Sequence, residues 1–184
     1  MIQHKIQASL RGVRDPGDAW VVTEDGKRYW GKFGAAGLLA LDQDRGVLMQ
    51  HRVEWSDHGG TWGIPGGAIN LGEDAISGAI REAHEEAGVP YEAIHPLYTH
   101  VFTREVWSYT TVIARVVEPF EPQITDPESL DLRWVKVSEV TDLPLHPGFR
   151  SSWSFLSELL KTPLNDDVDL TKLQASGHAL TKIV

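Results

Sequence analysis

Glu82, Glu85 and Glu86 crowd into one turn and a little more of the segment Arg81-Glu82-Ala83-His84-Glu85-Glu86-Ala87-Gly88. Carboxylates that close are either a solvated face or oxygen ligands gathered around a cation, and hard oxygen donors of this kind suit Mg²⁺ or Mn²⁺. On a helical wheel with Ile76 at zero, Glu85, Glu82 and Glu86 fall at roughly 180°, 240° and 280°. The three share one flank. Ile76, Ala79, Ile80, Ala83 and Ala87 fall within about 60° either side of zero, so the opposite flank is apolar. Arg81 precedes Glu85 by four residues, a spacing that lets the two ion-pair and fixes the glutamate rotamer.

The elements that must position these groups are legible on either side. Residues 75–87 are expected to be a helix, with Asp74 as N-cap, Gly88 at the left-handed C′ position and Pro90 barring continuation. Before it lies HGGTWGIPGG, residues 58–67, whose glycines can bring backbone carbonyls and amides close to an ion or a phosphate. DAWVVT and RYWGKF read as a hairpin around Glu24-Asp25-Gly26, and AAGLLALD and GVLMQHRVEW as two further strands. In the second, Val47, Met49 and His51 face one way and Leu48, Gln50 and Arg52 the other, with the buried face left open. LYTHVFTREVWSYTTVIARVV, residues 97–117, reads as a strand pair turning near Thr103-Arg104-Glu105. LRWVKV, 132–137, is another strand, and SSWSFLSELLK, 151–161, an amphipathic helix. The last twenty or so residues carry no pattern beyond a weak helix or a loose tail.

Composition bounds the function. The 184 residues hold 26 Asp plus Glu against 17 Lys plus Arg, eight His and no Cys, for a formal charge of −9. Without cysteine there is no disulfide scaffold, cysteine-rich zinc module or thiol chemistry. The acidic balance opposes a broad nucleic-acid surface, yet a bound divalent cation can reverse the local sign and admit a small phosphorylated substrate. The first twenty residues lack the apolar core of a signal peptide, and no apolar run approaches a bilayer span. A cytoplasmic protein without membrane contact is expected.

The segment Gly67-x5-Glu73-x7-Arg81-Glu82-Ala83-His84-Glu85-Glu86-Ala87-Gly88-Val89 resembles, position for position, the Nudix box G-x5-E-x7-R-E-U-x-E-E-x-G-U, in which U is a bulky aliphatic. Ala83 is small for its position. The lead-in Trp62-Gly63-Ile64-Pro65-Gly66-Gly67 also matches, and the order of strands with a C-terminal helix looks like the Nudix domain. The resemblance implies an α/β (α+β) Nudix fold, a mixed sheet sandwiched between helices, over residues 35–161. Residues 1–34 would be an N-terminal extension containing the hairpin, and 162–184 a C-terminal tail.

It also implies roles. Glu82, Glu85 and Glu86 would ligate Mg²⁺ or Mn²⁺, with the Gly67 carbonyl and Glu128 as further ligands and Glu128, Glu86 or Glu82 as base. Asp126 and Asp131 compete with Glu128. Glu73 and Arg81 would orient the site, Arg81 by pairing with Glu85. Arg52 would reach substrate phosphate, and Trp62, Phe102, Trp107 and Tyr109 are candidates to stack a base. The implied reaction is hydrolysis of a nucleoside diphosphate linked to a group X, with a nucleoside triphosphate or oxidised nucleotide ahead by elimination. The downstream marks of ADP-ribose, dinucleoside-polyphosphate and NADH pyrophosphatases are missing. The partner is a small nucleotide and not a nucleic-acid polymer, and many relatives form homodimers. The competing reading is a Nudix-fold sensor that binds a nucleotide or ADP-ribose without cleaving it. Isopentenyl-diphosphate isomerase, which shares the fold, needs a cysteine acid that this chain lacks.

Overall fold

The computed structural model describes residues 14–161 and 178–184. Its strands are β1 (Trp20–Val22), β2 (Arg28–Trp30), β3 (Ala35–Asp42), β4 (Gly46–Arg52), β5 (Trp62–Gly63), β6 (Gly66–Ala68), β7 (Ile94–Arg104), β8 (Trp107–Val116), β9 (Ser129–Val135) and β10 (His178–Lys182); its α-helices are α1 (Ala75–Ala87) and α2 (Pro147–Leu160). β1 and β2 form the separate two-stranded hairpin expected from the turn residues. The other eight strands make one mixed sheet, in the order β10-β7-β8-β3-β4-β5, with β6 on β3 and β9 on β4.

At the centre β3 and β8 run parallel, Ala35 opposite Tyr109 through Leu41 opposite Arg115. Both faces of these strands are covered, so β3 reads Ala-Ala-Gly-Leu-Leu-Ala and does not alternate. Ala36, Leu38, Ala40, Leu48, Val112 and Ala114 pack against Ala79, Ala83 and Ala87 of α1. Leu39, Val47, Met49 and Ile113 pack on the other side against Phe149, Trp153, Leu156 and Leu159 of α2. The fold is therefore α+β, a mixed sheet between two helices. The alternation in β4 that left its buried face open has a physical reason: Val47, Leu48, Met49 and Gln50 are all buried because each face meets a helix layer.

α1 has the expected bounds. The Asp74 side chain accepts the Ser77 amide, and Gly88 sits at φ 63°, ψ 25°, a conformation that a Cβ disfavours. α2 begins four residues earlier than its apolar spacing suggests. Pro147, which looks like a breaker, occupies the first turn, where its missing N–H costs nothing, and His146 caps the helix by accepting the Gly148 amide. β9 begins at Ser129, three residues before the expected strand. The β7–β8 turn comes at Glu105-Val106, with Glu105 at φ 49°. Residues 178–182, unassigned from sequence, form β10 on the edge of β7, His178 opposite Phe102.

Candidate active site

The site is built where β6 delivers the glycine loop over the flank of α1. Gly66 and Gly67 pair with Gly37 and Ala36 of β3, so the loop is fixed by a ladder. A Cβ on Gly66 would stand 2.5 Å from the Ala36 carbonyl oxygen, and one on Gly67 2.6 Å from the Glu82 carboxyl carbon. Glycine is required here by close approach: the loop lies directly on a box carboxylate.

The three glutamates of the flank end in three environments. Glu86 is buried, at 5% exposure. Its Oε2 accepts the Gly66 amide at 3.0 Å and Gln50 Nε2 at 3.2 Å. Gln50 Nε2 also donates to Ser129 Oγ at 2.8 Å, while Gln50 Oε1 is buried with no hydrogen-bond partner among the described residues. The Glu82 side chain is 17% exposed and accepts Arg81 Nη1 at 2.7 Å. The Glu85 side chain, 54% exposed, meets the same Nη1 at 3.2 Å. The helix flank is thus not uniformly solvent-side; Glu86 points inward under the glycine loop.

Arg81 does less for Glu85 than the four-residue spacing implies. Its Nε and Nη2 grip Glu73 Oε1 and Oε2 at 2.8 and 3.0 Å, and Nη2 also donates to the Ala68 carbonyl at 3.0 Å. Glu73 Oε2 accepts the Asn70 amide at 2.9 Å. One guanidinium therefore links the loop before the helix, the helix itself and the end of β6. The strongest partner lies eight residues away, beyond any i,i+4 rule, because Glu73 sits outside the helix.

The loop that leads into β9 completes the cluster. Thr125 Oγ1 donates to the Glu85 carbonyl at 2.5 Å and the Gln123 amide to the Ala87 carbonyl at 2.9 Å, so the segment follows the end of α1. The Val53 amide donates to the Glu128 carbonyl at 3.0 Å, which closes it onto β4. One carboxylate oxygen from each of Glu86, Asp126 and Glu128 lies within 4.8 Å of the others. Asp126, weighed in the sequence only as a competitor of Glu128, stands beside it instead, with Oδ1 accepting the Glu128 amide at 2.5 Å. Asp131 is turned away onto Arg133, at 2.6 Å.

Electrostatics set Glu86 and Glu82 apart from Glu73. Burial, followed by repulsion from Glu82 and Glu128, holds the Glu86 carboxyl well above the carboxylate range, against the pull of the Gly66 amide. Burial likewise pushes Glu82 up to about 7, although Arg81 opposes it. Glu73 goes the other way, lowered chiefly by Arg81. The single arginine of the box is divided among Glu73, Glu82 and Glu85, so the buried Glu86 carboxyl is met by the Gly66 amide and Gln50 rather than by that cation.

The remaining candidates are spread around this centre. Arg52 Nε donates to the Asp57 carbonyl at 3.2 Å, and its charge is felt by the Tyr109 hydroxyl. Tyr109, a base-stacking candidate by sequence, instead brings its hydroxyl within 3.0 Å of where a Gly66 Cβ would be and 2.1 Å of a Gly37 Cβ. Trp62 is buried, stacked on His51 at 4.6 Å with Arg133 over the ring at 5.1 Å. Phe102 packs on His178 at 5.1 Å, and Trp107 stacks on Tyr29 of the hairpin at 4.6 Å. Gln50 and Ser129 were missed. The signal for Gln50 was a polar residue inside GVLMQHR, decisive only once both faces of β4 are known to be buried.

A NUDIX domain model matches residues 31–158. The chain belongs to the Nudix family. This Nudix chain is 48% identical over 155 residues to a Mycobacterium tuberculosis protein named "Putative 8-oxo-dGTP diphosphatase 3", covering 78% of this chain and 70% of that protein. It is 39% identical over 152 residues to a "Nucleoside triphosphate pyrophosphatase/Nudix hydrolase fusion protein" of Bifidobacterium longum, covering 78% of this chain but 32% of the fusion protein. The crystal structure of a Nudix hydrolase from M. smegmatis, RenU, superposes with a TM-score of 0.72 at 46% identity, over 82% of this chain and all of that one. The protein is accordingly a Nudix hydrolase acting on phosphorus anhydrides. No helix among the described residues is long and apolar enough to cross a membrane.

Proposed function

We propose that this Nudix hydrolase is a Mg²⁺- or Mn²⁺-dependent pyrophosphohydrolase of nucleoside triphosphates, with an oxidised purine triphosphate of the 8-oxo-dGTP kind as its first candidate substrate. The observation that carries the metal requirement is Glu86, buried under the Gly66 amide with Asp126 and Glu128 within 4.8 Å. The donor set is all oxygen, as these hard cations prefer, and it fits. Glu86, Glu128, Asp126 and Glu82 would hold the ion, and Gly67, whose Cα lies against the Glu82 carboxylate, would add its carbonyl. Support for the substrate class is the 48% identity to the M. tuberculosis protein, whose name carries 8-oxo-dGTP.

A divalent cation bound there supplies charge neutralisation of the substrate's phosphates and a more acidic water. The chain's own groups do the rest. Arg81 and Glu73 lock the loop to the helix, so that the Gly66-Gly67 backbone and the carboxylates keep one geometry. Gln50 holds Glu86 Oε2 in its inward rotamer. Glu85, half exposed beside Arg81, would take a metal ion that arrives with the substrate's phosphates from solvent. Arg52 offers positive charge at the end of β4 next to the Glu128 loop. Water adds to one phosphorus, the anhydride oxygen leaves, and a triphosphate becomes a monophosphate plus pyrophosphate.

The test is a product analysis over 8-oxo-dGTP, dGTP, ADP-ribose, a nucleoside diphosphate sugar and a dinucleoside polyphosphate, with Mg²⁺, with Mn²⁺ and with chelator. Monophosphate and pyrophosphate from the triphosphates, only with a divalent cation and fastest with the oxidised purine, is the expected result. Tight nucleotide binding without turnover under every metal condition would replace the enzyme with a sensor, and turnover in chelator would remove the metal.

A further inference from the structure

A second cluster of metal-ligating side chains lies away from the acidic centre. Asp57 and His58, in the loop between β4 and β5, meet His146 at the head of α2, with one ligand atom from each within 4.8 Å of the others. Two imidazoles and one carboxylate form a donor set unlike the all-oxygen group around Glu86. We propose that Asp57, His58 and His146 form a second cation site, for Zn²⁺ or a similar borderline transition metal, which joins the β4–β5 loop to α2.

Distance supports it. Three atoms no more than 4.8 Å apart share a centre within roughly 2.8 Å of each, so side-chain shifts of about 0.7 Å reach the ~2.0–2.2 Å of Zn–N and Zn–O bonds. The frame around them is already fixed. The Asp57 carbonyl accepts Arg52 Nε at 3.2 Å and the His58 carbonyl accepts Thr61 Oγ1 at 2.5 Å. The Gly60 amide donates to the Arg52 carbonyl at 2.9 Å, which closes the loop. On the other side, the Trp62 amide donates to the Pro144 carbonyl and the His146 amide to the Trp62 carbonyl, both at 2.8 Å. β5 therefore holds the two halves of the cluster in register before any ion arrives. The His58 and His146 rings stand edge to face at 4.9 Å, which keeps both in reach of one point.

The chemistry is consistent. Burial, then Arg52, lowers His146 to about 4, so its imidazole is uncharged at neutral pH and gives up no proton to bind a cation. Arg52 opposes the ion's charge, and the Asp57 carboxylate offsets it. His146 Nδ1 accepts the Gly148 amide at 3.0 Å, so coordination there exchanges one cap hydrogen bond for the metal bond. Imidazole nitrogen favours Zn²⁺ over Mg²⁺, which separates this cluster from the carboxylates of α1. Three protein ligands leave a fourth position open.

The test is calorimetric titration of the chelator-treated full chain with Zn²⁺ in millimolar Mg²⁺, for wild type and three variants. His58→Asn keeps a residue tolerant of the observed φ of 52°. His146→Asn keeps a good N-cap. Glu86→Gln disables the acidic cluster. One Zn²⁺ per chain is expected in wild type and in Glu86→Gln, with affinity at least about tenfold weaker in each histidine variant. No Zn²⁺ uptake by wild type, either histidine variant binding like wild type, or loss of the Zn²⁺ in Glu86→Gln would overturn the assignment. Circular dichroism confirms that each variant is folded, and because the acidic site has its own variant, failure here leaves the hydrolase reading intact.

Discussion

Arg81 and Glu73 are joined by two near-parallel hydrogen bonds, Nε to Oε1 at 2.8 Å and Nη2 to Oε2 at 3.0 Å, across the junction between the loop and α1. A planar fork matched to a carboxylate fixes direction as well as distance. Glu73→Gln is expected to lower kcat/KM by about 10- to 100-fold with little change in the far-ultraviolet spectrum, the size seen when groups that orient metal ligands are lost. Arg81→Lys should fall as far, because an ammonium cannot hold Glu73, Ala68 and Glu82 together. Steady-state kinetics on both variants checks this, and near-wild-type activity in Arg81→Lys would show that charge alone suffices.

Gly67→Ala would place a methyl group 2.6–2.8 Å from the Glu82 carboxyl atoms. The glutamate must move, so Mn²⁺ affinity measured by electron paramagnetic resonance should weaken at least about tenfold. Gly66→Ala meets the Ala36 carbonyl at 2.5 Å, where the obstacle is backbone in the sheet. It should therefore also lower the melting temperature, which Gly67→Ala should not.

Glu85→Gln and Glu86→Gln should differ, although the sequence places them on the same flank. Glu86→Gln replaces a carboxyl whose charged form is disfavoured by burial and then by Glu82 and Glu128. The chelated protein should become more stable, while turnover drops by roughly 100-fold or more and the rise in melting temperature on adding Mg²⁺ disappears. Glu85→Gln acts on a half-exposed side chain and should leave the chelated protein's stability unchanged. Thermal denaturation with and without Mg²⁺ separates the two, and equal behaviour would reject the distinction.

His100 is fully buried, with Nε2 2.8 Å from His178 Nδ1 and Phe155 stacked on its ring at 5.0 Å. Burial, then His178, lowers it to about 4 from 6.5. The unfolded chain takes up this proton as pH falls through 6.5 and the folded chain does not until about 4. The stabilisation is therefore complete above 6.5 and lost progressively down to 4, by up to about 3 kcal/mol. His146, lowered to about 4 as well, acts in the same window. His100→Gln should remove part of the acid-side slope in urea midpoints between pH 7 and 4.5. An unchanged slope would mean that the ring titrates normally.

Much of this was readable from residue order. The capped helix of residues 75–87, the hairpin and the central strands follow from turn residues and apolar spacing, which act locally. What escaped depends on which side of an element meets which neighbour. A helical wheel puts Glu82, Glu85 and Glu86 together, but only the loop laid across α1 buries Glu86 and leaves Glu85 half exposed. Arg81 finds Glu73 through a turn in the chain that i,i+4 reasoning does not see. Asp126 joins Glu86 because Thr125 and Gln123 dock on the end of the helix, a tertiary contact without a sequence period. β10 carries no sequence period because, of its five residues, only Leu180 is buried.

The parallel pairing of β3 with β8 also bears on how the molecule comes into being. Residues 35–41 must find residues 109–115, and the Gly66-Gly67 loop rests on the same strand β3. Such distant pairings are slow to form, because a long stretch of chain must be closed before any contact compensates for the lost entropy. The proposed metal site, which joins Glu86 of α1 to Gln50 of β4 and to the Glu128 loop, is thus complete only once these distant segments have met. Refolding should return hydrolytic activity in the same kinetic phase as the central sheet, with no partly active species ahead of it.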